Sequence, residues 1–421
     1  MPNAPTNDDI DLLDGRFYAG DVHTHYDWLR AHAPVYYDAK NDVWALSTYE
    51  HVTFASKHPE LFCSKRGMRP HMEDPIVPSM INMDDPEHKL RRSIVNRGFT
   101  PRRVSDSEAK IRQVCTELIN RVCEQGTCEF VTQVAAPLPM VLIGDMLGVP
   151  PEDRDQLLDW SDDLLALTTS TFTPEMEAKS QKARMDYAMY TAKVVAERRA
   201  NPGRDDLISL LSHADIGGDS LDDAALVHES MLILIGGDET TRHVITGGLH
   251  ALIQHPEQRR ILVEDPSKIE QGVEELLRWV SPIHNMARTT TRDVQIGGEA
   301  IPAGSSVLLL YASANRDEAA FADPHVLDVT RTPNRHVAFG GNGPHFCLGA
   351  ALARLELKVM FEELLRRLPD ITLAEDASPP MRNSNFITGI ERMPVRFTPA
   401  ETESLGGTAP ILLPDQLRGA A

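Results

Sequence analysis

Apolar residues return at helical spacing over 104–124, 152–167, 178–200, 221–254, 268–279 and 350–367, a pattern that commits most of the chain to packed amphipathic helices. Runs that read as strands are few and brief: 34–37, 43–46, 293–296 and 306–311. The fold class is therefore mainly α with a minor β-sheet region. Helix punctuation agrees, since Pro256 follows one long stretch and Gly349 precedes another. No internal repeat or interior linker breaks the series, so residues 11–398 read as a single domain, with 1–10 and 399–421 as loose tails.

A chain of 421 residues can bury roughly three-quarters of its unfolded surface, so folding needs no disulfide or metal. Lys plus Arg number 42 against 62 Asp plus Glu, and the resulting net charge of −20 repels nucleic acid and anionic membranes. Met231–Gly237 and Val307–Ala314, the longest apolar stretches, fall far short of the ~20 residues that span a bilayer. The start, Met1-Pro-Asn-Ala-Pro-Thr-Asn-Asp-Asp, lacks the basic head and apolar core of a secretory signal, so a cytoplasmic location is expected. Five cysteines, an odd and sparse set, fit a reduced compartment.

The most informative stretch is Phe339-Gly-Gly-Asn-Gly-Pro-His-Phe-Cys347-Leu-Gly349, a glycine-rich turn that runs straight into a helix. Glycines allow backbone shapes that aim free N–H groups at a sulfur, and a helix N-terminus carries partial positive charge. Both favour a thiolate, which acts either as a nucleophile or as a metal ligand. The other cysteines, Cys63, Cys115, Cys123 and Cys128, lack zinc-site spacing and read as packing residues.

On this loop, and over nearly its whole length, the chain resembles the cytochrome P450 family. The resemblance implies the triangular-prism helical fold that encloses haem b, with Cys347 as the axial thiolate, Phe339 packed near the sulfur and His345 on a haem propionate. One departure is visible: Phe339 to Cys347 is one residue longer than the commonest form of the signature.

In Met231-Leu-Ile-Leu-Ile-Gly-Gly-Asp-Glu-Thr-Thr241, adjacent glycines interrupt an apolar helix at a cost on the order of 1 kcal/mol each. Two readings stand side by side here. A Thr240 hydroxyl bonded to the carbonyl of Gly236 bends the helix and leaves room for a small ligand, or the glycines merely allow close helix packing. The resemblance implies the first, with Gly236 against the cofactor and Glu239 and Thr240 delivering protons during oxygen activation. Asp238 is given a lesser role in solvent contact.

Glu275-Leu-Leu-Arg278 puts opposite charges on one helical face, and such pairs are common. Its place between the glycine-broken helix and the cysteine loop resembles the family's buried Glu-x-x-Arg, with Arg331 as third partner, serving folding and the haem pocket. His88 and Arg92 lie one turn apart and suit a carboxylate. The resemblance groups them with Arg288 and His345 as contacts to the haem propionates.

Lys89 to Arg103 carries Lys89, Arg91, Arg92, Arg97, Arg102 and Arg103 without an acid. This run is either a solvated face or a docking surface for ferredoxin. The chain has no flavin or nicotinamide fingerprint, so electrons from NAD(P)H have to come through ferredoxin and ferredoxin reductase.

The resemblance is nearest to a bacterial branch that hydroxylates the terminal carbon of sterol side chains and methyl-branched lipids. Aligned pocket positions are Ile81, Leu232, Gly236, Ile283, Met286 and Phe386, mostly apolar. Thr168–Pro174 reads as a lid. The expected activity is insertion of one atom of O2 into a terminal methyl C–H bond of cholesterol, cholest-4-en-3-one or a related lipid. Hydroxylation of a polyketide or terpene, and non-catalytic haem or lipid binding, are the alternatives.

Overall fold

A helix of 32 residues, Asp223–Gln254, runs through the computed structural model, which describes residues 5–72, 79–165, 173–214, 220–375, 378–405, 411 and 413. Asp222 starts it by accepting a hydrogen bond from the Ala225 N–H at 2.7 Å. Its first half, through Ala225, Leu226, Ile233 and Leu234, belongs to one apolar core. Its last third, through Val244, Ile245, Leu249 and Leu252, belongs to a second, larger core with the helices Glu108–Val122, Ile269–Val280 and Ala350–Arg367. Between them, residues 236–243 carry no apolar side chain, and Asp238, Glu239, Arg242 and His243 put buried polar and charged groups at the centre of this helix.

The two glycines there divide the readings left open by the sequence. A Cβ on Gly237 would lie 2.3 Å from Ile143 Cδ1, so this glycine admits the helix Pro137–Leu147. A Cβ on Gly236 would meet nothing within 4 Å, and this glycine borders open space.

Among the described residues, three sheets flank the helices. The largest has the order β1 (Val35–Asp38), β2 (Val43–Leu46), β8 (Ser306–Leu310), β5 (Asn285–Thr290), β3 (Phe62–Cys63). Only β2 and β8 run parallel, with Trp44 opposite Val307; Met286 lies opposite Leu309 and Arg288 opposite Val307 across the antiparallel β5–β8 pair. A second sheet pairs β4 (Thr127–Glu129), β10 (Pro394–Arg396) and β9 (Thr372–Leu373), and β6 (Val294–Ile296) pairs with β7 (Glu299–Ile301).

The long helices stand close to their expected bounds, with two corrections. The stretch 104–124 is broken at Ser107 into Pro101–Asp106 and Glu108–Val122. Pro137–Leu147 was not expected, because it is buried nearly all round and so shows no helical period.

The expected tails are not loose where they are described. Ile10 sits in the core beneath β1 and β2, and the Asn7 carbonyl accepts a hydrogen bond from the Tyr36 hydroxyl at 3.2 Å. Ile411 and Leu413 are buried in the largest core, and the Ile411 N–H reaches Glu117 at 2.8 Å. Single apolar residues in a proline- and glycine-rich stretch carry no period, so only their burial reveals them. The expected lid at 168–174 lies, up to residue 172, outside the described residues.

Candidate active site

The cysteine loop owes its course to glycine. Gly340 at φ +97° and Asn342 at φ +61° occupy the left-handed region, and the Cys347 N–H closes the turn on the Phe339 carbonyl at 2.9 Å. A Cβ on Gly343 would fall 1.7 Å from the Ser56 carbonyl oxygen, so the loop lies hard against the helix Tyr49–Lys57. Phe339 is held by the Arg354 guanidinium, 4.6 Å above its ring, and by the ring of His336 at 5.9 Å. Glu274 fixes both neighbours, accepting from Arg354 at 2.6 and 2.9 Å and lying 3.1 Å from His336 Nε2. The extra residue of the loop leaves Phe339 firmly packed.

Cys347 keeps accessible surface although protein desolvates its thiol, as expected of a residue lining an interior space. Burial pushes the thiol pKa up, while the N–H groups of Gly349 and Ala350, with Arg92 and Arg354, pull it down. The start of the helix Ala350–Arg367 thus aims its free N–H groups at the sulfur.

Beside it lies a group of basic side chains. The rings of His88 and His345 stand 4.1 Å apart, Arg92 donates to the Phe346 carbonyl, and Arg288 donates to the Ala287 carbonyl at 2.7 Å. Burial first, then Arg288, His88 and Arg92, hold the His345 imidazole well below its usual pKa. Among the described residues no ion pair reaches Arg92, Arg288 or His345, and only Asp85, at 3.3 Å, approaches His88. In a chain of net charge −20, a basic cluster with one approaching acid calls for an external anion. A haem b fits the site, because its two carboxylates answer that cluster, Cys347 offers a ligating sulfur and Gly236 leaves space.

Thr240 Oγ1 donates to the Gly236 carbonyl at 2.9 Å, the bond anticipated from the spacing. The two acids before it behave differently from expectation. Asp238 is 0 % exposed, not at solvent; it accepts from Ser161 Oγ at 3.0 Å, and burial pushes its pKa up. Glu239 is also 0 % exposed, and burial alone would raise it. Arg242, His243 and Arg382 outweigh that and hold it as a carboxylate. Arg242 donates to Oε1, while Arg382 reaches Oε2 at 2.8 Å and His243 Nε2 lies 3.1 Å from it. Two arginines connect this carboxylate to the surface: Arg242 to Asp162 at 3.3 Å, which is 49 % exposed, and Arg382 to Glu391 at 3.2 Å, which is 50 % exposed. Ser161, Asp162 and Arg382 were missed in the sequence, for nothing local marks residues 77, 80 and 143 positions from their partners.

The expected pocket set is split. Ile283, Met286 and Phe386 come together with Met68, Leu165, Ile235 and Ile387. Leu232 packs instead on the core of the first half of the long helix, and Ile81 adjoins Met80 of that same core. The basic run also thins. Arg91 pairs with Glu229 at 3.3 Å, Arg103 with Asp205, and Arg102 approaches Asp106 at 3.7 Å, while Arg92 turns inward. Lys89 and Arg97 are exposed and form no ion pair among the described residues.

Two further buried acids carry a pH signature. Burial raises Glu229 to about 7 against the pull of Arg91, and burial raises Glu356 to about 8, with Asp238 adding to it. A raised folded-state pKa favours the protonated form, so this contribution to stability is complete below the unfolded value near ~4.3 and is lost as pH rises through about 7 and about 8. Thermal stability is expected to decline from pH 6 to pH 9, and Glu356→Gln to flatten its upper part. A variant whose decline matches the parent's would refute the assignment.

The cytochrome P450 family model matches residues 32–397. A steroid C26-monooxygenase of Mycobacterium tuberculosis is 49% identical over 402 residues, 95% of this chain and 99% of the relative. A methyl-branched lipid omega-hydroxylase of Mycobacterium bovis is 38% identical over 368 residues, 86% of this chain and 85% of that protein. Among solved structures, Mycobacterium marinum cytochrome P450 CYP268A2 in complex with pseudoionone superposes with TM-score 0.86 at 34% identity, covering 94% of this chain and 100% of the other.

Proposed function

This chain belongs to the cytochrome P450 family, and from that membership we propose that it is a monooxygenase hydroxylating the terminal methyl of a sterol side chain or methyl-branched lipid. The observation that carries the substrate reading is the apolar cluster of Phe386, Ile283, Met286, Leu165 and Ile235, whose last member directly precedes Gly236. The likeness to the steroid C26-monooxygenase and the methyl-branched lipid omega-hydroxylase supports it.

The enzyme is a P450 oxidoreductase with haem b as cofactor and O2 as co-substrate. When bound, the haem supplies the oxygen and electron chemistry that puts one atom of O2 into the substrate while the other leaves as water. The chain's own residues do the rest. Cys347 would hold the metal as a thiolate, with the N–H groups of Gly349 and Ala350 turned toward its charge. Arg92, Arg288, His88 and His345 take the carboxylates. The apolar cluster excludes water and orients the methyl group.

Thr240 presents a hydroxyl that can hold a proton at Oγ1. Asp238, pushed up to about 7 by burial, can take up and release one near neutral pH, and Glu239 stays charged. Arg242 and Arg382 each bridge Glu239 to a surface acid, Asp162 and Glu391 respectively, linking the interior to bulk water.

Product analysis by mass spectrometry, after turnover with cholest-4-en-3-one and branched lipids, tests the function. A terminal alcohol is expected; oxygen inserted only elsewhere in the molecule, or no product from either class, would refute the reading. In the same assay Thr240→Ala is expected to keep haem and substrate binding but lose about a hundredfold in product formed per electron pair consumed. An unchanged yield removes Thr240 from proton delivery.

Electrons reach P450s of this kind from partner proteins. A ferredoxin fits the exposed cations Lys89, Arg97 and Arg102, by charge steering. Lys89→Glu with Arg97→Glu is expected to slow reduction by ferredoxin several-fold at low salt and to leave it unaltered at high salt. Equal rates at low salt exclude this face. No described helix is long and apolar enough to cross a membrane. The proposal assigns the enzyme to the cytoplasm, and recovery in the membrane pellet on cell fractionation contradicts it.

A further inference from the structure

Buried arginines in this protein generally meet acids. Arg30 meets Asp27 and Glu318, Arg198 meets Glu197 and Asp206, Arg242 meets Glu239, and Arg278 meets Glu275. Arg92 and Arg288 do not, and they stand where an anionic cofactor fits. Arg316 lacks an ion pair as well, but it is stacked 3.6 Å above Trp279 and feels the charge of Glu275.

Arg69 also lies over a ring, but unlike Arg316 it has, among the described residues, no carboxylate acting on its charge. It donates to Asn285 Oδ1 at 2.6 Å and to the Asn385 carbonyl and Oδ1, each at 2.8 Å, all neutral acceptors. No carboxylate pairs with it among the described residues, and burial draws its pKa down to about 10 with only Tyr18 opposing. Amide oxygens satisfy its N–H groups without neutralising its charge, and a desolvated charge left uncompensated gains strongly from an anion.

Its position ties it to the site. The guanidinium lies 4.6 Å over the ring of Phe386, and the preceding residue, Met68, belongs to the same apolar cluster as Phe386, Ile283 and Met286. A ligand that packs on Phe386 therefore comes within reach of a cation.

We propose that Arg69 is a specificity-determining residue that receives the carboxylate of a methyl-branched fatty acid whose chain occupies the apolar cluster. This rests on reading that cluster as the substrate wall. The acid then lies with its charged head on Arg69 and its branched terminus toward Gly236 and Thr240, so that the terminal carbon is the one presented.

Ligand-induced Soret shifts of the holoenzyme test this, with 15-methylhexadecanoic acid, its methyl ester and cholest-4-en-3-one as probes. The wild type is expected to bind the acid about tenfold more tightly than the ester. Arg69→Gln, which keeps donors but loses the charge, is expected to abolish that preference while leaving the ester and the ketone within about twofold. Arg69→Lys is expected to keep most of it. A wild type that binds the ketone yet shows no preference for acid over ester overturns the role of Arg69 and leaves the substrate reading intact, and this comparison needs no variant to fold. An Arg69→Gln protein that weakens all three probes equally also overturns it, since a structural clamp does that. If the wild type binds none of the three, the substrate reading itself falls and the proposal with it.

Discussion

Replacing Cys347 by serine is expected to abolish the red-displaced Soret band of the reduced, carbon monoxide-treated enzyme and to cut hydroxylation by about three orders of magnitude or more, each order being about 1.4 kcal/mol in barrier. Serine nearly preserves the shape, so the loop should still close through the Cys347 position onto Phe339 and still lie on Ser56. What it loses is an ionisable sulfur. An alcohol stays protonated where a thiol, far more acidic by nature, gives up its proton on binding a metal, and the Gly349 and Ala350 N–H groups, Arg92 and Arg354 offset part of the cost of burying that charge. Haem is expected to remain partly bound, because the carboxylate contacts of Arg92, Arg288, His88 and His345 do not depend on the sulfur. The variant thus separates cofactor retention from thiolate character, with haem content and the carbon monoxide spectrum measured on one sample. An unchanged band in Cys347→Ser would remove this residue as the ligand.

The second large effect is on the fold. Glu275 and Arg278 are both 0 % exposed. Glu275 accepts from Arg278 at 2.6 and 2.8 Å, from Arg331 at 3.2 Å, from Asn334 at 3.0 Å and from the Asp328 N–H at 3.0 Å. Arg278 also donates to the carbonyls of Asn315 and Pro324 at 2.9 and 2.8 Å. The pair therefore pins the segment leading to the cysteine loop onto the helix Ile269–Val280. Glu275→Gln keeps the size but leaves a buried guanidinium without its counter-charge, which costs about 3–5 kcal/mol. Total stabilities are only ~5–15 kcal/mol, so most of the protein is expected to be recovered unfolded or without haem. Chemical denaturation read by far-ultraviolet circular dichroism measures it. A midpoint equal to the parent's would show that the pair is not structural.

How much of this was readable beforehand depends on how local each signal is. The cysteine loop was legible because its glycines, its turn and the following helix are adjacent in sequence. So was the Thr240 to Gly236 bond, a matter of four residues on one helix. The helix Pro137–Leu147 was not, because burial on every side erases the period that betrays a half-buried helix. The pocket residues were separable only in space: Phe386 and Ile283 meet through a bridge between residues 283 and 387, while Leu232, on the same helix as Gly236, points to a different core. The basic run at 89–103 looked uniform, yet acids at 205 and 229 take two of its cations.

The sequence by itself determined the order of helices, the shape of the thiolate turn and the alcohol after two acids, since backbone preference and helical spacing act over a few residues. Only the tertiary structure separated those two acids: Arg242 and His243 follow on the same helix, but the burial and Arg382 come from elsewhere in the fold. Asp238 and Glu239 are neighbours in the chain and chemically alike, but Arg382, 143 residues on, reaches only Glu239, and both are cut off from water. Charge in a protein interior follows burial and the nearest opposite charge, and neither can be read along the chain.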